Sequence, residues 1–489
     1  MELVEINGRK WQKYKGDEGQ DVYIAQFMIG EDELLGKYVD NDSYDILVEN
    51  DADFYLPPEK FSDASELTEK DVAFKFRKNV FTQAEQKGAY EGLFDAAIES
   101  NNRGLAAGPR EETQSGRDWV TTFQNDVLTW FSKSQPAGKD FENGFENMTI
   151  DEQLQSIHDN IKRKEKYKEW KNKRKGDDQR GDVWLTTKIE EAGYKDYKNF
   201  FSEAIEKMKG MSIEDAAAYA TEIKQKWISQ TSYATAIWSG IAGFYGRYPR
   251  IPYGRATAYV DHNREKFELS YPFARKLEAE FKRMMPNRWA KQNEFAERLD
   301  NKFLIGEDTT FTTITVNTTT KDRNARMACH RDAGSLNEGF SNLTVVTKDG
   351  KDWKGGYLVA PEVRAAINIR PGDLLLIDNM RVIHGNTPIE APDSGEDDFL
   401  RMSLVYYFRE DMDQLGSWEY EAMRKQFVDD RRLNEEHPEW RKYWNGVSPS
   451  MWESQEWYDY LEAKMGKEIV EQYHPEAYEV KSSLESFFG

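Results

Sequence analysis

The 489-residue chain has a single cysteine, Cys329. One thiol excludes a disulfide framework and any cysteine-based zinc or iron–sulfur site, and it suits a reducing compartment, so a cytoplasmic location is expected. Long apolar runs are also missing. No stretch of about 18 apolar residues occurs, and the start MELVEINGRKWQKYKGDEGQ lacks a basic-then-apolar signal pattern, which predicts a soluble chain with no membrane partner. Positive charge is in deficit: 67 Lys and Arg stand against 88 Asp and Glu, a net charge of −21. That balance argues against indiscriminate attraction to phosphate, while a local basic patch stays compatible with it. Repeats and low-complexity tracts are absent, and histidine is scarce, with six residues in all.

Aromatic residues are plentiful. At 13% aromatic and 32% charged, the composition is that of a folded chain with amphipathic elements, and its length predicts two to four structural units. Residues 1–117 read as an α+β region with strand-like runs at Val22–Phe27 and Tyr44–Val48 and a helix from about Thr82 to Ser100. A glycine-rich turn follows at Asn101–Arg110, of the kind that approaches a ligand or simply covers a surface. Residues 118–239 read as a helical insert whose segment Ile161–Arg180 holds ten Lys/Arg against four Asp/Glu, a solvated helix face or a phosphate contact. From 240 to 410 short strands recur at Phe311–Val316, Asn342–Val346, Gly356–Ala360, Asp373–Asp378, Arg381–His384 and Leu400–Phe408, with helices at Tyr271–Met285 and Asn287–Leu299. That spacing predicts a sandwich or jelly roll. Residues 411–489 read as a helical unit carrying Trp418, Trp440, Trp444, Trp452 and Trp457.

Four of the six histidines, His158, His262, His437 and His474, have no partner pattern and are expected at the surface or in packing roles. His330 is followed two residues later by Asp332, and on a strand edge that spacing puts both side chains on one face. His384 comes 52 residues after Asp332, at the end of the hairpin-like unit Pro371-Gly372-Asp373-Leu-Leu-Leu-Ile-Asp378-Asn-Met-Arg381-Val-Ile-His384-Gly385, and a jelly roll brings such distant strand ends together. Two histidines and one carboxylate leave three positions open on Fe(II), which bidentate 2-oxoglutarate plus O2 require. Arg401, 17 residues after His384, is suited to the distal carboxylate of 2-oxoglutarate, with Ser403 on the same strand face. The ordered set points to an Fe(II)/2-oxoglutarate-dependent dioxygenase. His330-Arg331-Asp332 with Asn337, followed by Ala360-Pro361-Glu362, also has protein-kinase spacing. No glycine-rich loop with a following strand lysine precedes it, and the flanks are β-rich, so the kinase reading is rejected.

The segment His330-Arg-Asp332-Ala-Gly-Ser-Leu-Asn337-Glu-Gly339-Phe-Ser341-Asn-Leu-Thr-Val-Val resembles the metal-binding segment of the TET/JBP 5-methylpyrimidine dioxygenases. Arg401-Met-Ser403-Leu-Val-Tyr-Tyr resembles their 2-oxoglutarate strand. The similarity runs from about Tyr248 to Arg409 and extends through Gly355-Gly356-Tyr-Leu-Val-Ala-Pro361 and Arg370-Pro-Gly-Asp-Leu-Leu-Leu-Ile-Asp378, closest in texture to bacteriophage-type members. The resemblance implies an α+β chain with a double-stranded β-helix (cupin-like jelly roll) at its core, a helical insert and a helical C-terminal unit.

It further implies iron on His330, Asp332 and His384, 2-oxoglutarate on Arg401 and Ser403 with Asn317 nearby, and Asn337 near the target base. The implied reaction hydroxylates the C5-methyl group of a pyrimidine in DNA, with 5-methylcytosine favoured over thymine. A base within a duplex cannot reach buried iron, so a flipped base or a single strand is implied. The cysteine-rich zinc-binding part of the animal enzymes is missing here. DNA contact is therefore expected from the basic run at 161–180, from Arg103, and from Arg247, Arg250 and Arg255, a trio that equally suits the cosubstrate pocket. Two alternatives stand beside this reading: a dioxygenase acting on a protein side chain or small metabolite, and a catalytically silent jelly-roll binding module.

Overall fold

The computed structural model of the chain describes residues 1–31, 34–57, 67–100, 103–107, 237–248, 251–348, 352–392, 398–434, 436–437 and 449–478. Met1–Gly108, Ala236–His437 and Val447–Gly489 form one compact unit, and Pro109–Thr235 with Pro438–Gly446 a second. The second unit lies outside the described residues, and with it the basic run at 161–180.

The described strands are β1 (Glu2–Ile6), β2 (Arg9–Lys15), β3 (Asp21–Ala25), β4 (Ile46–Val48), β5 (Ala52–Tyr55), β6 (Val72–Arg77), β7 (Ile98–Ser100), β8 (Ile237–Tyr245), β9 (Arg255–Ala256), β10 (Thr313–Thr320), β11 (Ser341–Val346), β12 (Lys354–Gly355), β13 (Leu358–Ala360), β14 (Ala365–Ile367), β15 (Leu374–Ile377), β16 (Gly385–Asn386), β17 (Ile389–Glu390) and β18 (Leu400–Tyr407). The described helices are α1 (Gln83–Leu93), α2 (Ala258–His262), α3 (Arg264–Glu268), α4 (Tyr271–Met284), α5 (Pro286–Ala296), α6 (Trp418–Leu433), α7 (Gln455–Met465) and α8 (Lys467–Tyr473). A large sheet runs in the order β1-β2-β3-β5-β6-β15-β11-β18-β10-β8-β7, and a smaller one in the order β16-β13-β14-β4. The two sheets and their covering helices are a jelly-roll core with helical additions.

The central strands read as near-continuous apolar runs because both faces are covered. All eight residues of β18 are buried, as are all six of β11 and all four of β15. Side chains alternate between two cores. Leu400, Met402, Leu404 and Tyr406 of β18 join Leu374 and Leu376 of β15 and Ile314 and Val316 of β10 in a core shared with the helices. Val405 and Tyr407 join Leu343, Val345, Leu375 and Ile377 in a core shared with Leu358, Ala360 and Ile367 of the small sheet. The helix α4 presents Phe273, Ala274, Leu277, Phe281 and Met284 to the first core at three- and four-residue spacing. Arg401 and Ser403 fall on the second, inner face.

Two sequence expectations are corrected. The helix expected from Thr82 to Ser100 stops at Leu93, and the chain turns through Phe94–Ala96 into β7. Ile98 pairs with Ser239, and Gly240 permits the turn, because a Cβ there would lie 1.7 Å from the Ala96 carbonyl oxygen. The strand expected at Arg381–His384 is a turn ending in an isolated bridge between His384 and His330. Asp378 dictates the turn: its carbonyl accepts from the Arg381 and Val382 N–H groups, and its Oδ2 accepts from Arg381 Nε at 2.8 Å.

In the C-terminal helices Ser417 and Ser454 cap α6 and α7. Glu421, 1% exposed, accepts the Gly254 N–H at 2.7 Å and the Gly416 N–H at 2.9 Å and pairs with Arg247, so α6 grips the loop that leads into β9. Among the described residues no helix is long and apolar enough to cross a membrane.

Candidate metal centre

The triad assembles through backbone pairing. His330 and His384 exchange two N–H to carbonyl hydrogen bonds, each 3.0 Å, so chain segments 54 residues apart are held side by side. Gly385 makes this approach feasible, since a Cβ there would meet Ala328 C and Cys329 N at 3.1 Å. His330 Nδ1 lies 2.8 Å from the Ala328 carbonyl and His384 Nδ1 3.0 Å from the Val382 carbonyl. A carbonyl can only accept, so those contacts put a ring N–H on Nδ1 of both histidines and turn both Nε2 atoms inward. Asp332 Oδ1 lies 3.2 Å from His330 Nε2 and 3.9 Å from His384 Nε2, and the three candidate ligand atoms all lie within 4.8 Å of one another.

The protonation states of His384 and Asp332 suit a metal. Burial, reinforced by the neighbouring His330, pushes His384 down to about 4, so it is neutral near pH 7. Burial works against the Asp332 carboxylate, but His330, His384 and Arg103 outweigh it and hold the group below its ordinary value. Burial also resists charge on His330, yet the Asp332 carboxylate outweighs it and raises that imidazole above its usual range. Cys329 is adjacent in sequence but not part of this set: it packs with Val39, Val359, Ala366 and Ile383, and burial pushes its thiol up to about 12.

A second layer fixes Asp332. Asn379 Nδ2 donates to Asp332 Oδ2, the Asp332 N–H donates to the Asn379 carbonyl at 2.9 Å, and Ser341 Oγ donates to Asn379 Oδ1 at 2.6 Å. Sequence reading did not single out Asn379 or Ser341 for this role. The H-R-D arginine points elsewhere. Arg331 donates to Glu362 Oε1 at 2.8 Å and pairs with Glu31, so the two kinase-like motifs are joined by a structural ion pair.

Arg401 is 5% exposed and makes no side-chain hydrogen bond or ion pair among the described residues, and its Nε is fully buried without a partner. Burial, with Arg370 adding repulsion, pushes this guanidinium down to about 10. A buried, unpaired guanidinium is costly unless an anion completes it. Space is kept beside it by Gly356, φ +67°, where a Cβ would lie 3.2 Å from Arg401 Nε. On the same inner face Asn317 pairs with Ser403 across β10 and β18, its Nδ2 3.4 Å from Ser403 Oγ and its Oδ1 accepting from Ser239 Oγ at 2.6 Å. Two imidazole nitrogens, one carboxylate oxygen and an unsatisfied buried arginine therefore fit a divalent iron and a dicarboxylate.

The remaining sequence-predicted residues separate. Arg103 donates to the Gly240 carbonyl at 3.2 Å and is close enough to influence Asp332. Arg255 stacks on Tyr245, with Cζ 4.9 Å from the ring centre. Arg247 is occupied by Glu421. Asn337 is exposed, and its carbonyl accepts from Arg288 Nη1 at 2.9 Å. Arg250 lies outside the described residues. Of the histidines expected in packing roles, His474 is buried and His262 is exposed.

Comparison with known proteins agrees with this geometry. Residues 249–410 match the family described as the oxygenase domain of the 2OGFeDO superfamily, Tet_JBP, a superfamily that uses Fe(II), 2-oxoglutarate and O2. The chain is 28% identical over 182 residues to thymine dioxygenase JBP1 of Leishmania braziliensis, covering 37% of this chain and 21% of that one. It is 30% identical over 174 residues to thymine dioxygenase JBP1-B of Trypanosoma cruzi, covering 35% and 19%. The chain thus spans about a fifth of the length of these relatives. The structure of NgTET1 in complex with 5mC DNA aligns with TM-score 0.30 at 12% identity, over 44% of this chain and 77% of that one, which is too low a score to bear on the fold. The metal-capable triad lies inside the segment that the sequence match covers, and residues 249–410 of the chain are a TET/JBP-type oxygenase domain of the 2OGFeDO superfamily.

Proposed function

We propose that the protein is an Fe(II)/2-oxoglutarate-dependent dioxygenase that hydroxylates the C5-methyl group of a pyrimidine in DNA, giving 5-hydroxymethyluracil from thymine or 5-hydroxymethylcytosine from 5-methylcytosine. The observation that carries this reading is the convergence of His330, Asp332 and His384 within a domain of the TET/JBP type. The relatives named above are thymine dioxygenases, which moves thymine ahead of 5-methylcytosine as the first substrate to test.

In this reading His330 Nε2, Asp332 Oδ1 and His384 Nε2 hold the metal, and Arg401 with Ser403 and Asn317 hold 2-oxoglutarate. The bound iron, 2-oxoglutarate and O2 together supply the oxidising power for the methyl C–H bond, with succinate and CO2 as co-products. The protein's own groups do the positioning. Asn379 keeps one carboxylate oxygen turned inward, and the Nδ1 contacts of both histidines with backbone carbonyls turn their Nε2 atoms toward the metal position. The apolar inner core around Val345 and Val405 excludes water from the cosubstrate side. Arg103, Arg255 and Asn337 are assigned to the substrate side, where the pyrimidine arrives flipped from a duplex or on a single strand.

Succinate release measured with thymine-containing DNA, DNA bearing 5-methylcytosine, DNA with uracil in place of thymine and no 5-methylcytosine, and no DNA tests the assignment. Stimulation by a methylated pyrimidine over the uracil control is expected, and equal turnover in all four arms contradicts it.

A further inference from the structure

Beyond the triad, the inner face of the large sheet ends in a second cationic cluster. The strands β8 and β18 flank β10, with Gly243 and Tyr407 both opposite Thr313. Just past them Arg255 Cζ lies 4.9 Å from the Tyr245 ring centre and 5.7 Å from that of Tyr248. Arg409 Cζ lies 4.8 Å and 5.9 Å from the same two rings, and its Nη2 donates to Tyr248 Oη. Two guanidiniums therefore share one pair of tyrosines.

Neither arginine has a carboxylate in ion-pair distance among the described residues. The side-chain hydrogen bond of Arg255 goes to the Gly246 carbonyl at 3.5 Å, and that of Arg409 to Tyr248. Arg247, on the same loop, shows the contrast, since it is neutralised by Glu421. In a chain with net charge −21, a group of arginines left without acidic partners is unexpected as mere surface chemistry. Arg103 adds a third cation within electrostatic reach of Arg409, Tyr245, Tyr407 and Asp332, which sets the cluster beside the metal centre. Burial lowers the guanidinium pKa of both Arg103 and Arg255; the neighbouring tyrosines, with Asp332 for Arg103, oppose that lowering, and Arg409 adds to it. Like charges gathered this way call for an anion among them.

That anion is not the cosubstrate. Arg401 lies near the start of β18 and Arg409 two residues past its end, in an isolated bridge with Ser335, so the two are eight residues and thus about 26 Å apart along the extended chain. A five-carbon dicarboxylate held at Arg401 cannot also reach Arg409. Tyr248, 39% exposed, opens the cluster to solvent, and paired rings beneath guanidiniums suit a nucleotide's mixture of phosphate and base.

We infer that Arg255 and Arg409, seated on Tyr245 and Tyr248, bind a backbone phosphate of the DNA strand next to the pyrimidine presented at His330, Asp332 and His384. The inference rests on the DNA reading above.

The test uses the full chain with Fe(II) and 2-oxoglutarate under anaerobic conditions, binding oligonucleotides with one target pyrimidine. Each nearby phosphate is replaced in turn by a neutral methylphosphonate. One flanking replacement is expected to weaken binding about tenfold and to reduce the slope of log K against log salt by about 0.9 for duplex or about 0.7 for single strand. The double variant Arg255→Gln, Arg409→Gln is expected to show the same deficit with the natural strand and no further loss with that methylphosphonate, while keeping its thermal shift with metal and 2-oxoglutarate. The assignment is overturned if no flanking replacement affects the native protein, or if the double variant loses as much as the native protein does. The two readings fail differently. A native protein that neither binds nor oxidises any DNA overturns the DNA reading itself, whereas a native protein that oxidises DNA alongside a variant of unchanged affinity overturns the phosphate site alone.

Discussion

Asn379 donates its amide N–H to Asp332 Oδ2, while Asp332 Oδ1 faces His330 Nε2 at 3.2 Å. The carboxylate is thereby divided into one oxygen for the scaffold and one for a metal. Ser341, donating to Asn379 Oδ1, fixes which way the amide is turned. Removing an orienting partner of this kind weakens metal binding by about 10- to 100-fold. Asn379→Ala is expected to do so in an anaerobic Fe(II) or Co(II) titration, and Ser341→Ala to do so more weakly because it acts through Asn379. Unchanged affinity in Asn379→Ala would falsify the division of labour.

Arg401 is buried and its Nε has no partner among the described residues, as the dicarboxylate site proposed for it requires. Arg401→Met fills similar space without the charge. It is expected to raise stability in the absence of ligands by about 1–3 kcal/mol and to lose the 2-oxoglutarate-dependent shift in melting temperature. A variant that keeps the ligand-dependent shift places the dicarboxylate elsewhere.

The legible and illegible parts of this site differ in range. His330, Asp332 and His384 stood out because only six histidines compete for attention and two of them sit in ordered strand contexts. Arg401 and Ser403 were legible from alternation on one strand. Asn379 was not, because its role depends on Asp332 and Ser341, 47 and 38 residues away, and an asparagine after an apolar strand reads as an ordinary turn residue. Arg409 escaped for the same reason: only the pairing of β8, β10 and β18 brings it to Tyr245. The alternation of β11, β15 and β18 was hidden by burial of both faces, and the true end of α1 by the tertiary packing of Gly240 against Ala96.

Glu421 links α6 to the loop that leads into β9 and Arg255. It is buried and accepts two backbone N–H groups besides Arg247. Glu421→Ala leaves those donors and a guanidinium uncompensated, at a cost of about 3 kcal/mol. Urea unfolding is expected to show that loss, accompanied by weaker DNA binding as Arg255 loses its seat. A loss below about 0.5 kcal/mol would mean that the loop is held by other contacts.

His474 makes the C-terminal helices sensitive to acid. Its Nε2 accepts from Tyr420 Oη at 2.8 Å and Trp457 Nε1 at 3.0 Å, leaving no place for a proton. Burial lowers its pKa below the ordinary 6.5, with Glu476 opposing. Below pH 6.5 the unfolded chain takes up a proton that the folded chain resists, so the stabilisation is full above that pH and falls as pH drops through and below it. The contribution changes by at most about 1.4 kcal/mol per pH unit. Comparing urea midpoints at pH 7.5 and 5.5 by tryptophan fluorescence should show a smaller difference in His474→Gln than in the native protein, and equal differences would assign the acid response to other groups.

The central claim is that this domain oxidises a pyrimidine methyl group in DNA, and mass spectrometry of the nucleosides tests it most directly. DNA containing thymine or 5-methylcytosine is incubated with the protein, Fe(II), 2-oxoglutarate and O2, beside a His384→Ala control. The account predicts a 5-hydroxymethyl nucleoside, with at least an equal amount of succinate, in the native reaction and neither product in the control. No oxidised nucleoside from either DNA, or the same yield from His384→Ala, would contradict it.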